Sequence, residues 1–244
     1  MKFVRLFIAI FLLLSEAYGQ DAKTILERVD QNLSSTNRVF ESTMTIQGAR
    51  TRRVITSRSW SVGDTKAFTE YLSPAGEKGT KMLKLEDQLW IYSPSTDRTI
   101  QISGHLLRQS VMGSDLSYED MMEDRKLTDV YDARVTGQTV IGERNAWVLS
   151  LVAKVSDAAY HSQKMWVDQE RYVPLKQELY AKSGQLLKRL ELKDVVKVQG
   201  RWFPMTMVFK DMLKQGSGTE FRITSIRFDQ QIPEYIFTKA ALKK

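Results

Sequence analysis

The sequence predicts a mainly β protein in which one large antiparallel sheet follows a single helix and is interrupted by a short helical insertion. Three observations predict this class. Apolar residues alternate with a period of two along about ten or eleven segments, the pattern of half-buried strands. Turn residues such as Gly63-Asp64 separate these segments at short intervals. Residues 22–33 and 104–124 repeat their apolar positions at helical spacing instead.

The N-terminus has the order of a secretory signal peptide. Basic residues precede an apolar run over residues 6–14, and a small-residue pattern follows at residues 17–19. The run is shorter than the roughly 20 residues of a membrane-spanning helix. We therefore expect cleavage after Gly19, with residues 1–19 as the signal peptide and residues 20–244 as one exported domain. The sequence contains no cysteine that could carry a lipid anchor.

The predicted helix begins after Asp21, a residue type favoured at an N-cap, and ends near residues 34–37. Its apolar stripe consists of Ala22, Ile25, Leu26, Val29 and Leu33. A first strand begins at Arg38. The other predicted strands cover residues 54–62, 65–72, 80–85, 89–92, 146–153, 163–167, 175–182, 186–198, 202–211 and 220–228. A sheet of this size curls strongly or closes.

The helical insertion has an apolar face. Leu106, Leu107 and Val111 recur at helical spacing, and a second set of apolar residues does so after Gly113. Ser117 with Asp120 resembles a capping box for the second piece. We expect two short helices that lie over the sheet as a lid.

Acidic residues cluster in the same insertion, and two interpretations are open. Clustered carboxylates can bind calcium, whereas acids near a helix N-terminus are favoured by the helix dipole. Their spacing does not match an EF-hand loop, so we favour a solvated outer face of the lid. The residues concerned are Asp115, Glu119, Asp120, Glu123 and Asp124.

Catalytic chemistry has few side chains to use. His105 and His161 are the only histidines, and neither has a partner at metal-binding spacing. The sequence has no Gly-x-Ser-x-Gly elbow, no phosphate-binding glycine loop and no dinucleotide fingerprint. We expect a binding protein that is not an enzyme and uses no metal or cofactor.

The formal net charge of +7 allows two interpretations. It could favour anionic membrane surfaces or acidic partners, or it could make the surface soluble without a specific partner. No dense basic block occurs along the chain, so we favour the second interpretation and expect no nucleic-acid partner.

Residues 57–125 resemble the bacterial outer-membrane lipoprotein-sorting proteins, the LolA-like family. The later segments MWVDQ, LKQELYAKSGQLLK, WFP and FDQQIPEYIFTKAAL match the same family pattern, so the resemblance covers nearly the whole exported chain. It implies a half-open antiparallel β-barrel closed by short helices, a periplasmic location and binding of lipoprotein or other lipid acyl chains. It also implies an arginine that holds the lid, for which Arg58 and Arg98 are candidates.

The resemblance further implies partners: an inner-membrane exporter of the resistance-nodulation-division or ABC type that supplies the cargo, and an outer-membrane acceptor. We expect a hydrophobic cavity under the lid, to which flexible methionines can contribute. The expected lining residues are Phe40, Met44, Trp60, Phe68, Trp90, Leu106, Leu107, Val111, Met112, Met121 and Met122. Two alternatives stay open: an accessory docking subunit of the exporter without cargo, and an enzyme acting on lipids or cell-wall polymers.

Overall fold

The computed structural model describes residues 21–48 and 51–244. The predicted signal peptide lies outside the described residues. The α-helices are α1 (Ala22–Leu33), α2 (Tyr118–Met122) and α3 (Leu127–Val130), and short 3-10 helices cover Gly104–Arg108, Val111–Gly113, Glu234–Phe237 and Lys239–Lys243. The strands are β1 (Asn37–Gln47), β2 (Arg52–Val62), β3 (Lys66–Ser73), β4 (Lys81–Leu85), β5 (Gln88–Ser93), β6 (Arg98–Ile102), β7 (Tyr131–Ile141), β8 (Arg144–Ala153), β9 (Ser162–Asp168), β10 (Pro174–Tyr180), β11 (Leu186–Val198), β12 (Arg201–Asp211) and β13 (Thr219–Phe228).

All of these strands form one antiparallel sheet in the order β6-β5-β4-β3-β2-β1-β13-β12-β11-β10-β9-β8-β7. β1 pairs with β13, so the first and the last strands of the chain meet at the middle of the sheet. β6 and β7 are the two edges and do not pair with each other, so the barrel is open. The mainly β class and the open sheet are thus confirmed.

The predicted number of ten to eleven strands is wrong, because the sheet has 13. The two strands absent from the prediction are the edges β6 and β7. In β6 only Ile102 is buried, and along β7 only Tyr131 is. An edge strand buries few side chains, so its sequence lacks the apolar alternation that identifies an inner strand.

Helix α1 packs on one flank of the sheet through the stripe that its sequence predicts. Ile25, Leu26 and Val29 are almost fully buried and share a cluster with Leu149 and Met165 of β8 and β9. The helix begins after Asp21, as predicted, but the Asp21 side chain makes no capping hydrogen bond. It ends at Leu33, slightly before the expected range.

The lid consists of residues 104–130 and is more broken than the predicted pair of helices. Two short 3-10 helices precede α2, and α3 follows it. The predicted capping box is confirmed: Asp120 N donates to the Ser117 side chain, and Ser117 N donates to the Asp120 carboxylate at 2.6 Å. Among the described residues, no helix is long and apolar enough to cross a membrane.

The two faces of the sheet have different covers. The face toward the lid and α1, which we call the cavity face, includes Thr69 and Tyr71 of β3. The opposite, outer face includes Phe68, which packs in a cluster with Trp90. The last residues of the chain cover that cluster through Phe237 and Leu242, both buried.

Candidate functional site

A cavity of about 380 Å³ lies between the sheet, the lid and the C-terminal part of α1. One wall is apolar and comes from consecutive strands of the sheet. Because side chains alternate along a strand, every second residue of these strands faces the cavity. The residues of this wall are Phe40, Leu179, Leu190, Leu192, Phe203, Met207, Phe209, Phe221, Ile223 and Ile226, and Leu33 of α1 borders it.

The facing wall carries hydroxyl groups. Ser59, Ser61 and Thr69 line the cavity from β2 and β3, and all three are buried. The Ser59 and Thr69 hydroxyls lie 2.8 Å apart and hydrogen-bond to each other. Paired in this way, they present little unsatisfied polarity to an apolar ligand.

Gln163 adds one polar group to the cavity lining from β9. Gln163 is 8% exposed, and its Oε1 atom is buried without a hydrogen-bond partner in the described part of the chain. Burying an amide oxygen without a partner costs free energy, so this atom is a ready acceptor for a hydrogen-bond donor on a ligand.

The lid contributes Leu116, Asp120 and Met121 to the cavity. A buried network fixes Asp120 to the sheet: Lys188 of β11 pairs with it, and the Tyr160 hydroxyl donates to it at 2.5 Å. Burial, together with the nearby Asp120 charge, raises the pKa of the Tyr160 hydroxyl, so this group stays a proton donor at neutral pH.

Further basic side chains of the sheet hold the lid. Arg38 of β1 pairs with Asp124, and Lys84 of β4 donates to the carbonyl oxygen of Met122. Burial lowers the pKa of Lys84. Arg53 of β2 donates to the carbonyl oxygen of Met112 at 3.1 Å.

The two arginines proposed from the resemblance do not hold the lid. Arg58 pairs with Glu41 instead, and Arg98 makes no ion pair with any residue that the structure describes. Because residues alternate along β2, Arg58 faces away from Ser59 and Ser61, which line the cavity.

The predicted lining residues divide into three groups. Phe40, Trp60 and Met121 border the cavity, although the Trp60 ring also packs against Phe68 at 5.9 Å. A second group packs in the apolar cluster between lid and sheet, namely Met44, Leu106, Leu107, Met112 and Met122. Val111 is buried within the lid, outside that cluster. Phe68 and Trp90 lie on the outer face under the C-terminal residues. Their binding of a ligand stays a prediction.

Most of the apolar wall was absent from the sequence-based set. Leu190, Leu192, Met207, Phe221 and Ile223 come from β11 to β13. The sequence shows that apolar and polar residues alternate along these strands. Which of the two faces lines the cavity becomes clear only from the pairing of β1 with β13.

The acidic residues of the lid are not a uniformly solvated face, which corrects the favoured interpretation. Asp115 is 8% exposed and accepts hydrogen bonds from Asp211 N at 3.0 Å and the Thr219 hydroxyl at 2.7 Å. The Asp120 side chain is only 9% exposed. Over residues 21–48 and 51–244, no group of His, Asp and Glu side chains is arranged to hold a metal ion.

A family model described only as an uncharacterized protein matches residues 63–244. No curated protein matches the sequence. The fold is shared with solved structures at 23–24% sequence identity. They are a DUF1329 family protein from Desulfovibrio piger (24% identity, TM-score 0.82, 90% of this chain and 97% of that one), a domain named as an outer membrane lipoprotein-sorting protein from Vibrio parahaemolyticus (24%, 0.79, 91% and 98%), and a LolA superfamily protein from Nitrosomonas europaea (23%, 0.77, 91% and 100%).

Proposed function

The chain belongs to a LolA-like family, and from this premise we propose that it is a periplasmic carrier of lipid or lipoprotein acyl chains. It takes amphiphilic cargo from an inner-membrane exporter of the resistance-nodulation-division or ABC type, shields the acyl part in the cavity and delivers it to an outer-membrane acceptor. The proposal assigns it no catalysis and no cofactor.

The cavity is the observation that supports this proposal most. Its volume of about 380 Å³ lies within the range of small-molecule sites, and one of its walls is continuously apolar. Burial of apolar surface contributes about 25 cal/mol per Å², which favours acyl chains with little demand for exact chemistry. Ion pairs and hydrogen bonds from basic side chains of the sheet fasten the lid. Breaking these contacts would open the cavity and release the cargo.

The accessory docking subunit without cargo is the weaker alternative. Such a subunit needs no internal cavity, and the apolar wall at Leu190, Met207 and Ile223 would then have no role. No feature of the described residues specifically favours a docking subunit.

The proposal is tested with a substitution whose side chain fills the cavity. Ser61→Trp places an indole in the cavity from β2, whereas Arg58→Trp places the same group on the outer face of the same strand. Protein purified from a periplasm without detergent is analysed by native mass spectrometry and lipid extraction. We expect bound lipid at one copy per chain in the wild type and in Arg58→Trp, and at least about tenfold less in Ser61→Trp.

Thermal unfolding of both variants separates blocking from misfolding. A folded Ser61→Trp that retains the wild-type amount of lipid would falsify cargo binding in this cavity. A wild type that carries no lipid and takes up none when lipid is added favours the docking subunit.

A further inference from the structure

Charge is segregated between the two ends of the sheet. In an antiparallel meander, successive turns lie alternately at opposite ends. The turns at residues 63–65, 86–87, 142–143, 169–173 and 199–200, with Asp229 after β13, lie at one end. These turns carry Asp64, Glu86, Asp87, Glu143, Glu170 and Asp229, and Arg171 is their single cation. The first residues of β3, β8 and β12 add Lys66, Arg144 and Arg201, so the acids still outnumber the cations here. We call this the acidic end.

The opposite end is basic, and we call it the basic end. Its turns cover residues 74–80, 94–97, 154–161, 181–185 and 212–218 in the described chain and carry four lysines, Lys78, Lys154, Lys182 and Lys214. They also carry three acids, Glu77, Asp97 and Asp157, each of which is paired with an arginine or a lysine. The first residues of β2 and β6 add Arg52 and Arg98, and both side chains are exposed. Basic residues that are scattered along the sequence are therefore gathered in space by the strand order.

Two exposed apolar side chains, Met212 and Leu213, form an apolar tip at the basic end. In the loop between β12 and β13, Leu213 is 66% exposed and Met212 is 36% exposed. The Asp211 carboxylate accepts a hydrogen bond from Leu213 N at 2.9 Å, which fixes the backbone under the tip. Lys210 and Lys214 flank it on either side. The loop thus combines a solvent-exposed leucine with two flanking lysines.

The same loop holds the lid. The Lys214 ammonium donates to the Ser114 carbonyl oxygen at 2.6 Å and to the Ser110 hydroxyl. At the two ends of the loop, Asp211 N and the Thr219 hydroxyl donate to the buried Asp115 carboxylate of the lid. A contact that displaces this loop therefore acts directly on the cover of the cavity.

We propose that the loop of residues 212–218 docks the protein on the surface of an anionic phospholipid bilayer, with Leu213 entering the headgroup region and the basic end facing the lipid. Clustered lysines and arginines are attracted to anionic leaflets, and an inserted apolar side chain adds affinity. The acidic end, repelled by the same surface, orients the molecule. This docking does not rest on what the cavity holds.

The pattern favours a bilayer over a protein partner. Two adjacent apolar side chains between two lysines expose far less surface than the roughly 800 Å² that each partner buries in a stable protein interface. A bilayer needs no shape complementarity, and it accepts a single inserted side chain together with dispersed charges.

The test uses flotation of the full-length mature protein with vesicles of phosphatidylethanolamine and phosphatidylglycerol, and with vesicles of phosphatidylcholine alone. Leu213→Asp removes the tip. Val140→Asp is the matched control, because Val140 is 60% exposed on β7 beside the turn at the acidic end. We expect wild type and Val140→Asp to float with the anionic vesicles at low salt and to be released by high salt. Leu213→Asp should bind about tenfold more weakly.

Equal binding by Leu213→Asp and the wild type would overturn the proposal, as would a wild type that ignores anionic vesicles at low salt. The second outcome points to a protein partner at this end. Copurified lipid is measured in the same variants, and we expect Leu213→Asp to retain it. Loss of vesicle binding with lipid retained thus tests docking separately from cargo binding.

Discussion

Asp30 is a buried acid on α1 whose partners all lie in the lid. Its carboxylate accepts hydrogen bonds from Leu127 N at 2.8 Å, Thr128 N at 3.0 Å and the Thr128 hydroxyl at 2.7 Å. The first N–H groups of a helix have no acceptor within the helix. For α3 the Asp30 carboxylate, from a distant part of the chain, is that acceptor.

Asp30→Ala should lower the free energy of unfolding by about 2 to 3 kcal/mol, because it leaves buried N–H groups without an acceptor. Asp129→Ala removes an exposed acid from α3 itself and should change it by less than about 0.5 kcal/mol. Urea denaturation of both variants measures the difference. Equal effects would show that Asp30 does not anchor the lid.

Asp168 gives the molecule an acid-sensitive contact at the acidic end. Burial alone would raise the pKa of its carboxyl, but hydrogen bonds from Arg144 and from the N–H groups of Arg171 and Glu170 outweigh burial and lower the pKa. A lowered pKa stabilises the folded state above the unfolded-state value of about 3.9, and this contribution is lost as pH falls through the folded value.

Asp168→Asn should therefore lower the unfolding free energy by about 2 kcal/mol near neutral pH and have a smaller effect at acidic pH. Chemical denaturation across the acid range measures this. A constant difference between variant and wild type at every pH would contradict the assignment.

At the scale of elements, the lid depends on charged contacts more than on its own helices. α2 has no fully buried residue, and the Lys188–Asp120 pair joins it to β11. A helix this short is not stable alone, so its position depends on such contacts.

Lys188→Met should speed hydrogen exchange of the lid amides by about tenfold or more, because Asp120 loses its buried cation, while β8 and β9 keep their protection. Lys193→Met on the same strand is the control, since Lys193 is 54% exposed. Mass spectrometry after peptic digestion locates the exchange. Unchanged lid exchange in Lys188→Met would mean that the other lid contacts suffice.

At this scale, the elements that the sequence predicts correctly are those with a regular buried pattern or a local contact. α1 was predictable because its buried stripe is regular, and the capping box at Ser117 because it is a local contact. The cavity lining was predicted poorly. Thr69 faces the cavity and Phe68 faces outward, which reverses the usual apolar-inward rule because the C-terminal residues cover the outer face.

At the scale of the whole molecule, the C-terminal residues complete a second apolar core. Phe237 is 5% exposed and packs with Phe68 and Trp90, which lie far away in sequence. The cover is local to this part of the sheet and lies on the face opposite the cavity.

Phe237→Ala should lower the unfolding free energy by about 3 kcal/mol, because it opens a void in a buried cluster. Tyr235→Ala, two residues earlier and 65% exposed, should change it by less than about 0.5 kcal/mol. Guanidinium denaturation followed by tryptophan fluorescence distinguishes them. A small effect of Phe237→Ala would mean that the C-terminal cover is dispensable for stability.

The pairing of β1 with β13 also determines when the cavity comes into existence. Phe40 and Ile223 reach the same cavity from opposite ends of the chain. Contacts between residues so distant in sequence form slowly, because the long intervening chain must be closed, and sheets of this kind fold in roughly milliseconds to seconds. A chain that has not yet added β13 consists of two unjoined meanders. The complete cavity therefore exists only after β13 has joined β1, so under the proposed function an incompletely folded copy would not compete for lipid.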